Sequence, residues 1–284
     1  MKLAAIDLDG TLLNQNHTIS DENMNALSAA SRQHIVAIAT GRSIMDARVL
    51  LGEHTHLPVI ASNGATIFDQ KGKPLSETPL SQETATQLIT YAENRHLYYE
   101  ATLAHDLLTP SYGIQILREE LDRVGKRLTK EGKEKAWAQA EVQFTQAGWQ
   151  PRSEISRLIR RGYAVYKLLI FSFNKHVLTD MKEQFANYED LTCTPSIGYT
   201  MEFNSSKVDK GKAILQLASH YGVSQKDTIV IGDSQNDLPM FRAAAICVAM
   251  GNAISSIKEI SSCVTLDCNH SGVAYALKNQ LALF

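Results

Sequence analysis

Short runs of almost unbroken apolar residues recur near both ends of the chain. Leu3-Ala4-Ala5-Ile6, Ile35-Val36-Ala37-Ile38-Ala39 and Pro58-Val59-Ile60-Ala61 come early; Thr228-Ile229-Val230-Ile231 and Ile246 to Met250 come late. A strand covered on one face alternates apolar and polar side chains. One that is apolar throughout is covered on both, as in a parallel sheet flanked by helices. The intervening segments have helical spacing: Met24 and Leu27 follow the cap residue Ser20, and Ala213, Ile214, Leu217, Ala218 and Tyr221 form a stripe after Lys210. The pattern predicts an α/β fold with a doubly wound, Rossmann-like parallel sheet.

The middle of the chain reads differently. Residues 82–190 are richer in charge, with a polar helical stretch from about Leu117 to Glu141 and a strand from Tyr163 to Phe173. They are expected to form an α+β domain inserted between a first core segment, 1–81, and a second, 191–284, with hinges near 80–84 and 190–200. Arg118, Glu119, Glu120, Asp122, Arg123, Lys126, Arg127 and Lys130 alternate in sign, the mark of a solvated helix face.

Composition narrows the classes of function. The chain has 284 residues, 20% of them charged, and a net charge of −2. There is no basic excess to neutralise a nucleic-acid backbone or an anionic membrane. No apolar run reaches the length of a membrane span, and Asp7 interrupts the N-terminal apolar stretch, which lacks the form of a signal peptide. Cys193, Cys247, Cys263 and Cys268 have no Cys-x-x-Cys spacing and are expected as reduced thiols. The chain reads as cytoplasmic, a monomer or homodimer with a small-molecule partner.

Polar clusters stand where the predicted strands end, which is where an open α/β sheet builds its active site. Asp7-Leu8-Asp9-Gly10-Thr11 follows the first strand and holds two carboxylates close together. Their repulsion, roughly 4 kcal/mol at an effective surface dielectric, calls for a cation or a proton. All-oxygen ligands suit magnesium (Mg2+). Thr40-Gly41-Arg42 ends the second strand with a hydroxyl and open backbone N–H groups. Asn63, in Ser62-Asn63-Gly64-Ala65, suits a left-handed turn or a substrate contact. Lys210 heads a helix, unfavourable for the helix dipole unless it faces an anion. Gly232-Asp233-Ser234-Gln235-Asn236-Asp237 repeats the acidic strand end: Asp233 is a candidate metal ligand, and Asn236 and Asp237 are placed to orient ligands and water.

With Met250-Gly251-Asn252-Ala253, these motifs run in order along essentially the whole chain, which resembles a haloacid dehalogenase superfamily phosphatase of the Cof type, subclass IIB, with a C2 cap inserted after the third core strand. The resemblance implies a magnesium-dependent phosphatase of small phosphate monoesters: sugar phosphates, or cofactor or nucleotide phosphates. Asp7 would be the nucleophile that forms an aspartyl phosphate, and Asp9 the general acid and base. Asp7, the backbone carbonyl of Asp9, and Asp233 would hold the metal. Thr40, Lys210, Asn236 and the backbone N–H groups near Leu8 and Gly41 would bind phosphate oxygens; Arg42, Asn63, Asp237 and Asn252 would support them or meet substrate. The core motifs do not exclude a phosphomannomutase-like phosphotransferase, for which Arg152, Arg157, Arg160 and Arg161 could supply a sugar-phosphate site; the intact set of Asp7, Asp9, Lys210 and Asp233 argues against the other alternative, a silent phosphate-binding relative. Tyr98, Tyr99, Tyr112 and Trp149 could stack on a substrate ring or fill the inserted domain's core.

Overall fold

The computed structural model describes residues 1–52, 56–195 and 198–281. They form two compact units, Met1–Glu77 with Val208 onward, and Thr78–Lys207.

The first unit is built on a sheet of strands β1 (Leu3–Ile6), β2 (Ile35–Ala39), β3 (Val59–Ala61), β4 (Thr66–Phe68) and β5 (Pro74–Glu77), continued late in the chain by β12 (Thr228–Gly232), β13 (Ile246–Ala249) and β14 (Cys263–Val264). Their order is β14-β13-β12-β1-β2-β3-β4-β5, with every pairing from β14 through β3 parallel. The chain winds outward from β1 to β3, then returns beside β1 and winds the other way. A switch point therefore lies between β1 and β12, the doubly wound topology that opens a crevice at the carboxyl ends of the strands. Every residue of β1, β2, β3 and β12 is buried, as coverage of both sheet faces demands.

Helices α1 (Asp21–Ser31), α2 (Ile44–Leu51), α8 (Lys210–His220), α9 (Leu238–Ala243), α10 (Ser255–Glu259) and α11 (Gly272–Leu281) belong to this unit. Ser20 caps α1 by accepting from Asn23 N, and the α8 stripe of Ala213, Ile214, Leu217 and Ala218 is buried, with Tyr221 packed at its edge. The hairpin β4–β5 was not anticipated. It turns on Asp69, whose carboxylate accepts from Lys71 N and Lys73 N at 2.8 Å each.

The second unit carries a sheet ordered β10-β11-β9-β6-β7-β8: β10 (Leu191–Pro195), β11 (Thr200–Ser205), β9 (Lys167–Phe171), β6 (Tyr98–Thr102), β7 (Leu107–Pro110) and β8 (Trp149–Arg152). One face packs Tyr99, Ala101, Leu168, Ile170 and Phe203 with helices α3 (Gln82–Asn94), α6 (Ile155–Arg160) and α7 (Lys175–Gln184). The other packs Tyr98, Leu169 and Phe171 with α4 (Gly113–Val124) and α5 (Lys130–Phe144).

The inserted unit extends beyond the expected limits of 82 and 190. Its boundaries fall at 77/78 and 207/208, because Leu191–Pro195 and Thr200–Ser205 hydrogen-bond into its own sheet. Residues 196–197 of the expected second hinge lie outside the described residues. The helical stretch from Leu117 to Glu141 breaks between Val124 and Lys130, where Thr129 starts a new helix by accepting from Gly132 N. Glu120 departs from the expected solvated face: it is buried and accepts from Ser172 Oγ at 2.6 Å and Phe173 N at 2.8 Å. The side chain of Arg127 lies outside the described residues. Tyr98 and Tyr99 are core residues whose hydroxyls donate to Glu100 and Glu93. Arg152, Arg157, Arg160 and Arg161 are all exposed, and Arg157 pairs with Glu154 at 3.2 Å. All four cysteines are free thiols. No helix among the described residues is long and apolar enough to cross a membrane.

Candidate active site

Five adjacent parallel strands, β13, β12, β1, β2 and β3, end at one edge of the first sheet, and the chain leaves each of them through one of the polar clusters. Asp7 follows β1. It is 4% exposed, held by its N–H to Ile231 O at 2.9 Å. Gly10 then turns the chain away with φ 76°; a Cβ there would lie 2.6 Å from Asp233 Oδ2, so the close approach of the two acidic loops needs glycine.

Lys210, fully buried at the start of α8, reaches Asp7 Oδ1 at 2.6 Å and Asp237 Oδ1 at 2.7 Å. Asp209 fixes this helix start by accepting from Lys212 N at 2.8 Å. Asp237 uses its other oxygen to accept from Asp233 N at 2.9 Å and Ser234 N at 3.0 Å. It therefore orders the β12 loop and anchors the lysine together.

Asp233 receives Thr11 Oγ1 at 3.1 Å. Carboxylate oxygens of Asp7, Asp233 and Asp237 all lie within 4.8 Å of one another. Burial raises the Asp7 pKa well above the usual carboxylate range, and the charge of Asp237 adds to it against the pull of Lys210. Burial and Asp237 likewise push Asp233 up to about 6. Burial disfavours the Lys210 ammonium, but Asp237 and Asp7 outweigh it and raise its pKa.

Asp9 belongs to a separate ion pair. Its carboxylate accepts Arg42 Nε at 2.7 Å and Arg42 Nη2 at 2.6 Å, a bidentate grip. Arg42 is in turn held by Asp46, one helical turn on, at 2.5 Å. Burial opposes ionisation of Asp9, but the hydrogen bonds and charge of Arg42 prevail and hold its carboxyl below the usual range. Arg42 thus answers to Asp9.

The remaining candidates occupy the same edge. Thr40 is buried, with its hydroxyl accepting from Arg42 N at 3.1 Å, beside the partly buried Gly41. Leu8 sends its side chain into the core, so only its backbone is available to a ligand. Asn63 adopts φ 58°, the left-handed turn its residue type suggested, and accepts from Asn236 Nδ2 at 3.3 Å. Asn252 donates to Gly10 O at 2.8 Å and accepts from Cys268 N at 3.0 Å, tying the β13 loop to the first acidic loop.

Two neighbours escaped the reading of the sequence. Asp46 had a signal, its i,i+4 spacing from Arg42 at a helix start. His17, whose Nδ1 lies 3.9 Å from Asp9 Oδ1, had none, because a loop shapes its position.

A profile for haloacid dehalogenase-like hydrolases matches residues 4–277. The chain belongs to that family, and is a phosphoric monoester hydrolase within it. It is 38% identical over 283 residues to a 5-amino-6-(5-phospho-D-ribitylamino)uracil phosphatase, YwtE, of Bacillus subtilis (strain 168), covering 99% of both chains. It is 37% identical to phosphatase YwpJ of the same organism, covering 99% of this chain and 100% of that one. A solved haloacid dehalogenase-like hydrolase from B. subtilis superposes with a TM-score of 0.85 at 35% identity, over 98% of this chain and 99% of that one.

Proposed function

We propose that the chain hydrolyses small phosphate monoesters in two steps through an aspartyl phosphate on Asp7, with Asp9 as general acid and then general base and with magnesium as cofactor. The observation that carries this reading is the division of the acids. Asp7 is buried against Lys210 at the carboxyl end of β1, whereas Asp9, two residues on, keeps a carboxylate that is 44% exposed. One is sheltered as a nucleophile should be; the other is open to an incoming leaving group.

In the first step a carboxylate oxygen of Asp7 forms a bond to phosphorus, the bond from phosphorus to the ester oxygen breaks, and that oxygen takes a proton from Asp9. Arg42 favours the ionised form of Asp9, so the carboxyl takes up its proton when the phosphoryl charge of the substrate stands beside it. In the second step ionised Asp9, held by Arg42, removes a proton from water. The water oxygen attacks phosphorus and the Asp7 oxygen is released. Lys210, Thr40, the Asn236 amide and the backbone N–H groups near Leu8 and Gly41 bind the remaining phosphoryl oxygens.

The residues fit magnesium: the cluster offers oxygen alone, and three carboxylates face a single ammonium. Asp7, Asp233 and the Asp9 carbonyl would hold the ion. When bound, it offsets negative charge on the acids and on the phosphoryl group. Asp237, with both oxygens engaged by Lys210 and backbone N–H groups, acts through them. Asn63 and Asn252 brace the loops. The ribityl phosphate named for the B. subtilis relative makes phosphorylated polyols the first substrates to try.

The test is phosphate release from a panel of phosphate esters, with and without magnesium. Asp7→Asn should abolish release while the circular dichroism spectrum stays that of the folded protein. Full activity in that variant, with deamidation excluded by mass spectrometry, would remove Asp7 from the role of nucleophile.

A further inference from the structure

The chemistry proposed for Asp9 leaves a polar neighbour unused. His17 Nδ1 lies 3.9 Å from Asp9 Oδ1, and the two side chains are 52% and 44% exposed, so both reach solvent side by side. Asp9 Oδ1 already receives Arg42 Nη2 at 2.6 Å. The imidazole therefore stands beside the carboxylate without being needed to hold it.

The position of His17 is built by the loop around it. The Asn14 side-chain carbonyl accepts from Asn16 N at 2.9 Å, Thr18 N at 3.1 Å and Thr18 Oγ1 at 3.0 Å. Asn14 N donates to Thr18 O, and His17 N to Asn14 O, each at 3.0 Å. Gln15 N ties the loop to Asn269 Oδ1 at 3.1 Å. Inside this closed loop His17 takes φ 56°, a left-handed conformation that an L residue with a large side chain adopts at a cost.

A general acid stands against the oxygen it protonates, so whatever lies next to Asp9 lies next to the first carbons of the leaving alcohol. A hydroxyl on the carbon adjoining the ester carbon is about one hydrogen-bond length from the ester oxygen, within reach of a group placed as His17 is. We infer that His17 hydrogen-bonds such a hydroxyl, and so selects phosphate esters of polyols over those of simple alcohols. This rests on the role proposed for Asp9.

The probes are ribitol 5-phosphate and pentyl phosphate, equal in carbon chain and different in hydroxyls. The readout is the ratio of their kcat/KM values, ribitol ester over pentyl ester. His17→Gly removes the imidazole and accepts the left-handed backbone without strain. It should lower the ratio on the order of tenfold, the effect of one lost hydrogen bond. His17→Asn accepts the same backbone and offers an amide near the place of Nδ1, so it should recover part of the ratio. An unchanged ratio in His17→Gly, including one from equal losses on both esters, would overturn the assignment while leaving the proposed hydrolysis in place. Release by the unaltered protein from other phosphate esters but from neither of these would overturn the assignment of His17 alone; release from no ester at all would remove the assignment of Asp9, and that of His17 with it.

Discussion

Replacing Asp233 by Asn should make the metal-free protein more stable. In the folded state Asp233 is buried beside Asp237 with its pKa pushed up to about 6, against about 3.9 in an unfolded chain. A group raised in this way contributes stability that is fully present below the unfolded value and lost as pH rises through the folded one. At pH 7 the ionised carboxylate therefore weighs against folding by about 3 kcal/mol, two pKa units at about 1.4 kcal/mol each. Asn keeps an oxygen to accept from Thr11 Oγ1 and carries no charge. For a folding unit of this size, roughly 2–4 °C per kcal/mol, the melting temperature should rise by about 6–12 °C at pH 7 in the presence of a chelator. At pH 4 unaltered Asp233 is mostly protonated in the folded protein and the difference should nearly vanish. Saturating magnesium should stabilise the unaltered protein more than the variant, because binding to the folded state alone adds stability and Asp233 is a proposed ligand. Scanning calorimetry at the two pH values, with and without the metal, decides the matter. A variant no more stable at pH 7, or an advantage that persists undiminished at pH 4, would refute the electrostatic argument.

Lys210→Met should destabilise the protein by roughly 3–5 kcal/mol, because it strands the buried carboxylates of Asp7 and Asp237. Urea unfolding would measure this, and a loss under about 1 kcal/mol would show that the pairs contribute little. Gly64→Ala should cost about 1–3 kcal/mol and reduce kcat. Gly64 has φ 99°, and its Cβ would come 2.6 Å from Asp209 O, pushing at the residue that caps α8 just before Lys210. Stability and activity left intact would mean that the α8 start has room to move.

The parts of the fold that could be read from the sequence are those where burial leaves little freedom. β1, β2, β3 and β12 are buried throughout, so each appears as an apolar run whatever its neighbours are. β4 and β5 are short, and Pro74–Glu77 has no fully buried residue, so its composition carries no comparable mark. β11 cannot be assigned to the inserted unit from its sequence, because Thr200–Ser205 mixes polar and apolar residues that could join either sheet; only pairing with β9 and β10 decides. The candidate site residues are legible because each follows a strand or starts a helix. Their partnerships are not: Lys210 lies 203 positions from Asp7, and Arg42 lies 33 from Asp9. The sequence placed Arg42 and Asp237 near the site without showing that one grips Asp9 and the other grips Lys210.

These partnerships leave one acid of the cluster without a basic partner. Arg42 answers to Asp9 and Asp46, and Lys210 answers to Asp7 and Asp237. Among the described residues no basic side chain pairs with Asp233, whose carboxylate is met by the Thr11 hydroxyl. Buried negative charge left without a counter-ion shifts towards the protonated form, and Asp233 does so. Asp7 stays raised even beside Lys210, because burial and the charge of Asp237 outweigh that one ammonium. The acid cluster as a whole therefore carries more negative charge than Lys210 offsets, and Asp233 is its member with no basic partner among the described residues. The two basic residues therefore serve different acids and cannot exchange places neutrally: Arg42 holds Asp9 in its ionised form, and Lys210 ties Asp7 to Asp237.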